Sequence, residues 1–259
     1  MYRYKEDKYG KKNEFIEIDI YPHDPARKQP NRKKKQQITA PSRQNLNDKN
    51  ARRYFGQLVK SNFTENDLHL TLTYQKKYRP DDIEQAEKEV TNFLRRLKRK
   101  YQKAQAKFFY IFVTEFGTKG KVHHHVLLPS GIPREEIEST WSKKEKGKPA
   151  EPIGYANTRR IQLINGTMEQ LVSYLQKEAA GKKRWKSSNG LIRPWATIKD
   201  AAYSKRKLDK LAQLPQDCED IKKFWEKEFP DYICYESVSR YNAETGRWSM
   251  YAKMRRRRQ

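Results

Sequence analysis

The clearest pattern lies in Leu68-His69-Leu70-Thr71-Leu72-Thr73-Tyr74. Apolar and polar positions alternate, so Leu68, Leu70 and Leu72 share one face of a strand and His69, Thr71 and Thr73 the other. Ile83, Ala86, Val90, Phe93, Leu94, Leu97 and Tyr101 then recur at spacings of three and four. They predict a helix opened by Pro80 and Asp81 and running to about Lys103, with one buried stripe. Its outer face carries Arg95, Arg96, Lys98, Arg99 and Lys100. Phe108–Phe116 is almost continuously apolar and reads as a central strand. Residues 117–120 form a tight turn and Val122–Leu128 is the next strand, which makes a hairpin. Pro133–Trp141 reads as a short helix and Thr158–Ile164 as another strand, ended by Asn165-Gly166. Thr167 caps a helix from Met168 to about Ala180, with Met168, Leu171, Val172 and Leu175 as its apolar stripe.

The flanks are less regular. Glu14–Tyr21 alternates as a half-exposed strand. Pro22 to about Asn50 contains Pro25, Pro30, Pro41 and Arg32-Lys33-Lys34-Lys35, and reads as a basic tether. Ala51–Lys60 suits a short helix with Tyr54, Phe55 and Leu58 on one side. Cys218–Glu228 suits a helix, and Tyr232–Tyr241 with Arg247–Met254 a hairpin. Trp225, Tyr235, Trp248 and Tyr251 would form a small accessory core, and Arg255–Arg258 a basic tail.

This order predicts an α+β fold: a ferredoxin-like or RRM-like antiparallel sheet with helices on one face, plus a basic N-terminal tether and a small C-terminal accessory region. The expected domains are residues 1–50, a strand and tether; 51–195, the main domain; and 196–259, the accessory region with its tail.

Charge narrows the partners. The 259 residues carry a net charge of +25, with 34% charged and 35% hydrophobic residues. Self-repulsion of that size is best tolerated against a polyanion, so nucleic acid is the expected partner. Aromatic residues make up 12%, too many for a wholly disordered basic chain. Two cysteines, Cys218 and Cys234, make no disulfide framework and suit a reducing compartment. No apolar run approaches the roughly 20 residues that span a bilayer, and the first residues show no signal region. The expected location is cytoplasmic, with no membrane partner. No Gly-rich phosphate loop is present, so any helicase would be a separate protein.

The candidate chemistry sits on the predicted strands. In His123-His124-His125, alternation sends His123 and His125 to the open face and His124 to the packed face. Two imidazoles at i and i+2 are a compact metal-ligand pair. Glu115 shares a face with Phe109, Ile111 and Val113, and the short loop lets it sit near His123. A carboxylate ending an apolar strand needs a partner or a cation. The donor set His123, His125 and Glu115 would leave room for a phosphate oxygen, and its chemistry also admits Zn²⁺. On the helix, Lys177 lies three residues from Tyr174 and therefore beside it. A tyrosine used as a nucleophile needs such help.

Together, Thr71-Leu72-Thr73-Tyr74, then Glu115-Phe116-Gly117 with Val122-His123-His124-His125-Val126, then Tyr174-Leu175-Gln176-Lys177 resemble the HUH endonucleases, and more closely the rolling-circle replication initiators of phages and plasmids. Ser61-Asn62-Phe63 and Ser187–Pro194 are also similar to that group. In the family the residue between the two histidines is normally a bulky hydrophobe, where this chain has His124. The resemblance implies a site-specific nickase and strand-transferase acting on single-stranded origin DNA. Mg²⁺ or Mn²⁺ would be held by His123, His125 and Glu115, and Tyr174 would form a 5′-phosphotyrosine with Lys177 beside it. His69, Thr71, Thr73, Arg160 and Gln162 would face the DNA on the open sheet, with Arg95, Arg96 and Arg99 as further contacts. It also implies host replication proteins as partners, in a bacterial cell or phage-infected host. Two other readings use the same residues. One is a non-catalytic RRM-like nucleic-acid-binding protein. The other is a metal-dependent hydrolase that activates water.

Overall fold

The computed structural model describes residues 1–26, 41–116, 121–144, 146–164, 167–176 and 184–257. The predicted turn at 117–120, Asn165-Gly166, Lys177, Arg32–Lys35 and Arg258 lie outside them. The strands and helices run, in chain order, β1 (Tyr2–Tyr9), β2 (Phe15–Pro22), α1 (Pro41–Asn62), β3 (Leu68–Leu72), α2 (Ile83–Lys103), β4 (Ile111–Phe116) and β5 (Val122–Leu128). There follow α3 (Arg134–Ser139), β6 (Ser142–Lys143), β7 (Glu151–Pro152), β8 (Ala156–Arg160), α4 (Glu169–Gln176) and β9 (Lys186–Ser187). The last elements are β10 (Trp195–Asp200), α5 (Lys205–Ala212), α6 (Glu219–Glu228), β11 (Tyr232–Asn242) and β12 (Arg247–Arg256). The fold is α+β with antiparallel sheets, and it divides into two compact units.

The unit Asn62–Ile192 contains the sheet β8-β3-β5-β4-β9. Leu68, Leu70 and Leu72 are buried against Val90, Phe93, Leu94 and Leu97 of α2 and Ile137 of α3. The alternation predicted for β3 and the stripe predicted for α2 meet here. Asp82, not Asp81, caps α2 by accepting from the Gln85 amide at 2.7 Å. The hairpin β4–β5 pairs Glu115 with His123, Thr114 with His124 and Val113 with His125.

The opposite face is not open at its His125 end. Ile111, Val113, Leu127 and His125 share that face and all are buried. The Tyr174 ring of α4 meets the His125 ring edge-on, with centroids 5.1 Å apart. Both sheet faces therefore carry helical cover, which is why β4 and β5 are apolar on both sides.

The unit formed by residues 1–61 and 193–259 holds the second sheet, β10-β1-β2-β12-β11. The N-terminal strand and the C-terminal hairpin, expected in separate regions, are neighbours in it: β2 pairs with β12. Ile16, Ile18 and Ile20 pack with Met250, Ala252 and Met254 under Leu208 of α5 and Trp225 of α6. Trp225 joins the core and Trp248 packs against it, whereas Tyr235 is exposed. The strand β1 was not predicted, because its charged run Lys5-Glu6-Asp7-Lys8 hides the alternation. β2 is buried on both faces, not half-exposed. Glu17 lies at 3% exposure, bonded by Arg53, Gln57, Tyr9 and Tyr251. Helix α1 begins at Pro41, inside the expected tether, and its Tyr54 is exposed while Phe55 and Leu58 are buried.

Candidate active site

Three rows of side chains cross the His125 face of the first sheet. Register places Asn157, Thr71, His125 and Val113 in one row, and Arg159, His69, Leu127 and Ile111 in the next. The third holds His123 and Glu115, paired across the hairpin. These positions follow from the period of two and from the antiparallel pairing of β8, β3, β5 and β4.

His125 is the centre. It is 3% exposed, and both its ring nitrogens are engaged. Nδ1 lies 3.1 Å from His69 Nε2 and 3.4 Å from Thr71 Oγ1. Nε2 lies 3.5 Å from the Glu115 carboxylate and 3.5 Å from the Tyr174 hydroxyl. A carboxylate, an imidazole and a phenol from two strands and a helix thus converge on one nitrogen. Tyr174 is otherwise 52% exposed, so its hydroxyl is within reach of a ligand from solvent.

Burial sets the protonation of the other histidines. Burial, then the neighbouring His125 and Arg159, push the His69 imidazole down to about 4. His123 is also lowered, by burial and then His125, with Lys121 acting the same way and Glu115 opposing. His124 faces the helices, as alternation predicts. It is fully buried and pushed down to about 3 by burial, with His125 and His123 adding to it. Its ring is held by Thr114 Oγ1 at Nδ1 (3.0 Å) and by the Tyr74 hydroxyl at Nε2 (2.8 Å). Neutral and doubly bonded, it fills a core position as a hydrophobe would.

Among the described residues no three His, Cys, Asp or Glu side chains already converge as a metal cage. The donors are nevertheless of a suitable kind. His125 Nε2 and Glu115 Oε2 face each other, and His123 stands opposite Glu115. Imidazole with carboxylate suits a borderline or hard divalent cation.

The remaining predicted contacts divide. His69 and Thr71 adjoin His125. Thr73 lies just past β3, its amide donating to the Tyr155 carbonyl (2.9 Å) and its hydroxyl accepting from the Tyr155 amide (3.1 Å). Arg160 stands opposite Leu68, on the helix-covered face, and Gln162 falls beyond the strand. The strand starts two residues earlier than predicted, so Asn157 and Arg159 take the places beside Thr71 and His69. The error has a physical source: Ile161, read as a marker of the Leu68 face, is buried on the other one. Arg95, Arg96 and Arg99 belong to α2, across the sheet from His125. Arg96 there donates to the Thr140 and Ser142 carbonyls.

Residues 67–179 match a family model for replication-associated proteins of the ORF2 type. The match covers under half of the chain but includes His69, Glu115, His123, His125 and Tyr174. This part of the chain is similar to replication-associated proteins, which points to DNA replication and a DNA partner. Comparison with curated proteins and with solved structures gives no match. Among the described residues no helix is long and apolar enough to cross a membrane.

Proposed function

We propose that the protein is a site-specific nickase and strand-transferase that initiates rolling-circle replication on single-stranded origin DNA. The observation that carries this reading is the meeting of Tyr174 and Glu115 at His125 Nε2, each at 3.5 Å. In this reading a divalent cation, Mg²⁺ or Mn²⁺, is held by His123, His125 and Glu115. When bound, it would supply polarisation of the scissile phosphate. Tyr174 is placed to attack that phosphate in line. The bond from its oxygen to phosphorus forms and the phosphorus–O3′ bond breaks. The phenol proton leaves to solvent, and the departing 3′ oxygen takes one up. Lys177, three residues on, is the ammonium assigned to the phosphate oxygens. His69 and Thr71 hold the His125 ring so that Nε2 faces the reacting groups. The 3′-hydroxyl can prime synthesis, and its return attack rejoins the strand without ATP. Host replication proteins, including a separate helicase, would complete the process.

The test is a covalent adduct. Wild-type protein with single-stranded DNA from the origin of its own replicon and Mn²⁺ should give a DNA–protein band that survives denaturing electrophoresis. Tyr174→Phe should give none. An adduct that persists in Tyr174→Phe would move the nucleophile to another tyrosine. Tyr155, exposed beside Thr73, is the one to test next; Tyr203 donates to Glu228 in the other unit. Cleavage without an adduct would favour an activated water, and binding without cleavage the RRM-like reading.

A further inference from the structure

A pocket of about 210 Å³ opens at the ends of β3 and β5, beside the candidate site. Thr73, Tyr74, Arg79, Lys121, Val122 and His123 line it. Arg79 and Lys121 are exposed cations, and no carboxylate is among the described lining residues. Tyr74 spends its hydroxyl on His124, and Thr73 is fixed by Tyr155. The side chains that present charge to the cavity are therefore a guanidinium and an ammonium. That pairing suits a phosphate: the guanidinium is a planar donor fork and the ammonium a compact point charge.

Position strengthens the case. His123 lines the pocket, and His125 faces Tyr174 two residues further along the same strand. That step is about 7 Å, comparable with the distance between successive phosphates of an extended single strand. A strand with one phosphate at His125 therefore brings its neighbour to Arg79 and Lys121.

We propose that this pocket is a phosphodiester subsite, gripping the backbone phosphate adjacent to the one that reacts. The word adjacent rests on the nickase reading; the grip on a phosphate does not. Such a contact carries no base information. It fixes the register of the strand against Tyr174 and leaves sequence choice to other groups.

The experiment uses the full chain and a labelled oligothymidylate, in EDTA, with anisotropy followed across KCl concentrations. Arg79→Gln with Lys121→Gln should make the slope of log K against log salt shallower by about 0.7, the increment for one phosphate contact on a single strand. Lys98→Gln with Lys103→Gln, an equal charge change on the exposed side of α2, should leave the slope at the wild-type value. Equal slopes for the pocket variant and wild type, or an equal drop in both variants, overturns the subsite. Adduct formation with Mn²⁺ is scored separately on wild type. A slope difference without an adduct keeps the subsite and removes the nickase reading; an adduct with equal slopes does the reverse.

Discussion

His69 Nε2 lies 3.1 Å from His125 Nδ1, across the β3–β5 pair. Burial keeps His69 neutral, with its imidazole pushed down to about 4. A neutral ring nitrogen can accept the Nδ1–H of His125. That hydrogen bond fixes the tautomer with Nε2 unprotonated and turned towards Glu115 and Tyr174. Orienting partners of this kind typically alter metal affinity by 10–100-fold. His69→Ala should therefore weaken Mn²⁺ binding by about that factor in calorimetry, with the circular dichroism spectrum unchanged. His69→Gln, which can still accept, should recover part of the loss. Wild-type Mn²⁺ affinity in His69→Ala would remove the positioning role.

His123 and His124 are neighbours in sequence but should fail differently. His123→Ala removes a proposed cation ligand from a half-buried position, so adduct formation should vanish. Oligonucleotide affinity should change little, because phosphate contacts dominate it. His124→Ala instead empties a fully buried site and strands the Thr114 and Tyr74 hydroxyls. It should destabilise the fold by about 2–5 kcal/mol, read from chemical denaturation. If the two phenotypes were exchanged, the facing assignment of the strand would be wrong.

The same residue gives the fold an acid sensitivity. His124 binds a proton near pH 6.5 when unfolded and only near 3 when folded. Between those values the unfolded state holds more protons, so stability rises with pH across the window and falls on acidification. The loss approaches about 1.4 kcal/mol for each pH unit below 6.5. His124→Phe removes the titrating group. Its unfolding free energy should depend less steeply on pH between 6 and 4 than that of wild type, roughly by that amount. Parallel pH profiles for the two proteins would show that His124 does not carry the effect.

Much of the site could be read from alternation because β3 has one apolar and one polar face. Leu68, Leu70 and Leu72 mark the core, so His69 and Thr71 must face the other way. The facing of His123, His124 and His125 follows from the same period, and the short hairpin brings Glu115 opposite His123. The cover that α4 gives to His125 was harder to see. Apolar residues on both sides of β4 and β5 carry that signal, yet a run such as Ile111-Phe112-Val113 does not say which layer each side meets. That ambiguity misplaced Arg160 and concealed Arg159. Strand β1 was illegible for another reason. Its buried Asp7 is stabilised by Arg53, which lies far away in sequence, and no local pattern reports such a partner.

Arg53 itself is a point of fragility in the unit formed by the two ends of the chain. Its guanidinium pairs with Asp7 at 3.2 Å and also with Glu17 and Asp19. Burial disfavours the Glu17 charge, but Arg53 and the Tyr9 and Tyr251 hydroxyls outweigh it and hold the carboxyl below its usual range. Removing one partner of a buried ion pair typically costs about 3–5 kcal/mol. Arg53→Met should therefore lower the unfolding free energy by about that much at neutral pH. The deficit should shrink on acidification, as the stranded carboxylates take up protons. A deficit that does not depend on pH would assign the cost to lost packing instead.

Gly154 links the packing around Thr73 to the site. A Cβ there would collide with the Thr73 carbonyl oxygen and stand 2.7 Å from the Tyr74 Cα, both backbone atoms. That carbonyl also accepts from Trp141 Nε1 at 2.8 Å, and Trp141 is fully buried. Neither side can yield by a rotamer change, so Gly154→Ala must push the two backbone segments apart. The Thr73 amide bond to Tyr155 would lengthen, and Thr73 would shift at the wall of the Arg79–Lys121 pocket. Overpacking of this kind costs about 1–3 kcal/mol or more. Gly147→Ala is the comparison: it has open space around it and only its positive φ of 81° to accommodate. We expect Gly154→Ala to lower the unfolding midpoint well below that of Gly147→Ala and to weaken oligothymidylate binding at low salt. A midpoint for Gly154→Ala at the wild-type value would mean that the two backbone segments have room for a methyl group between them.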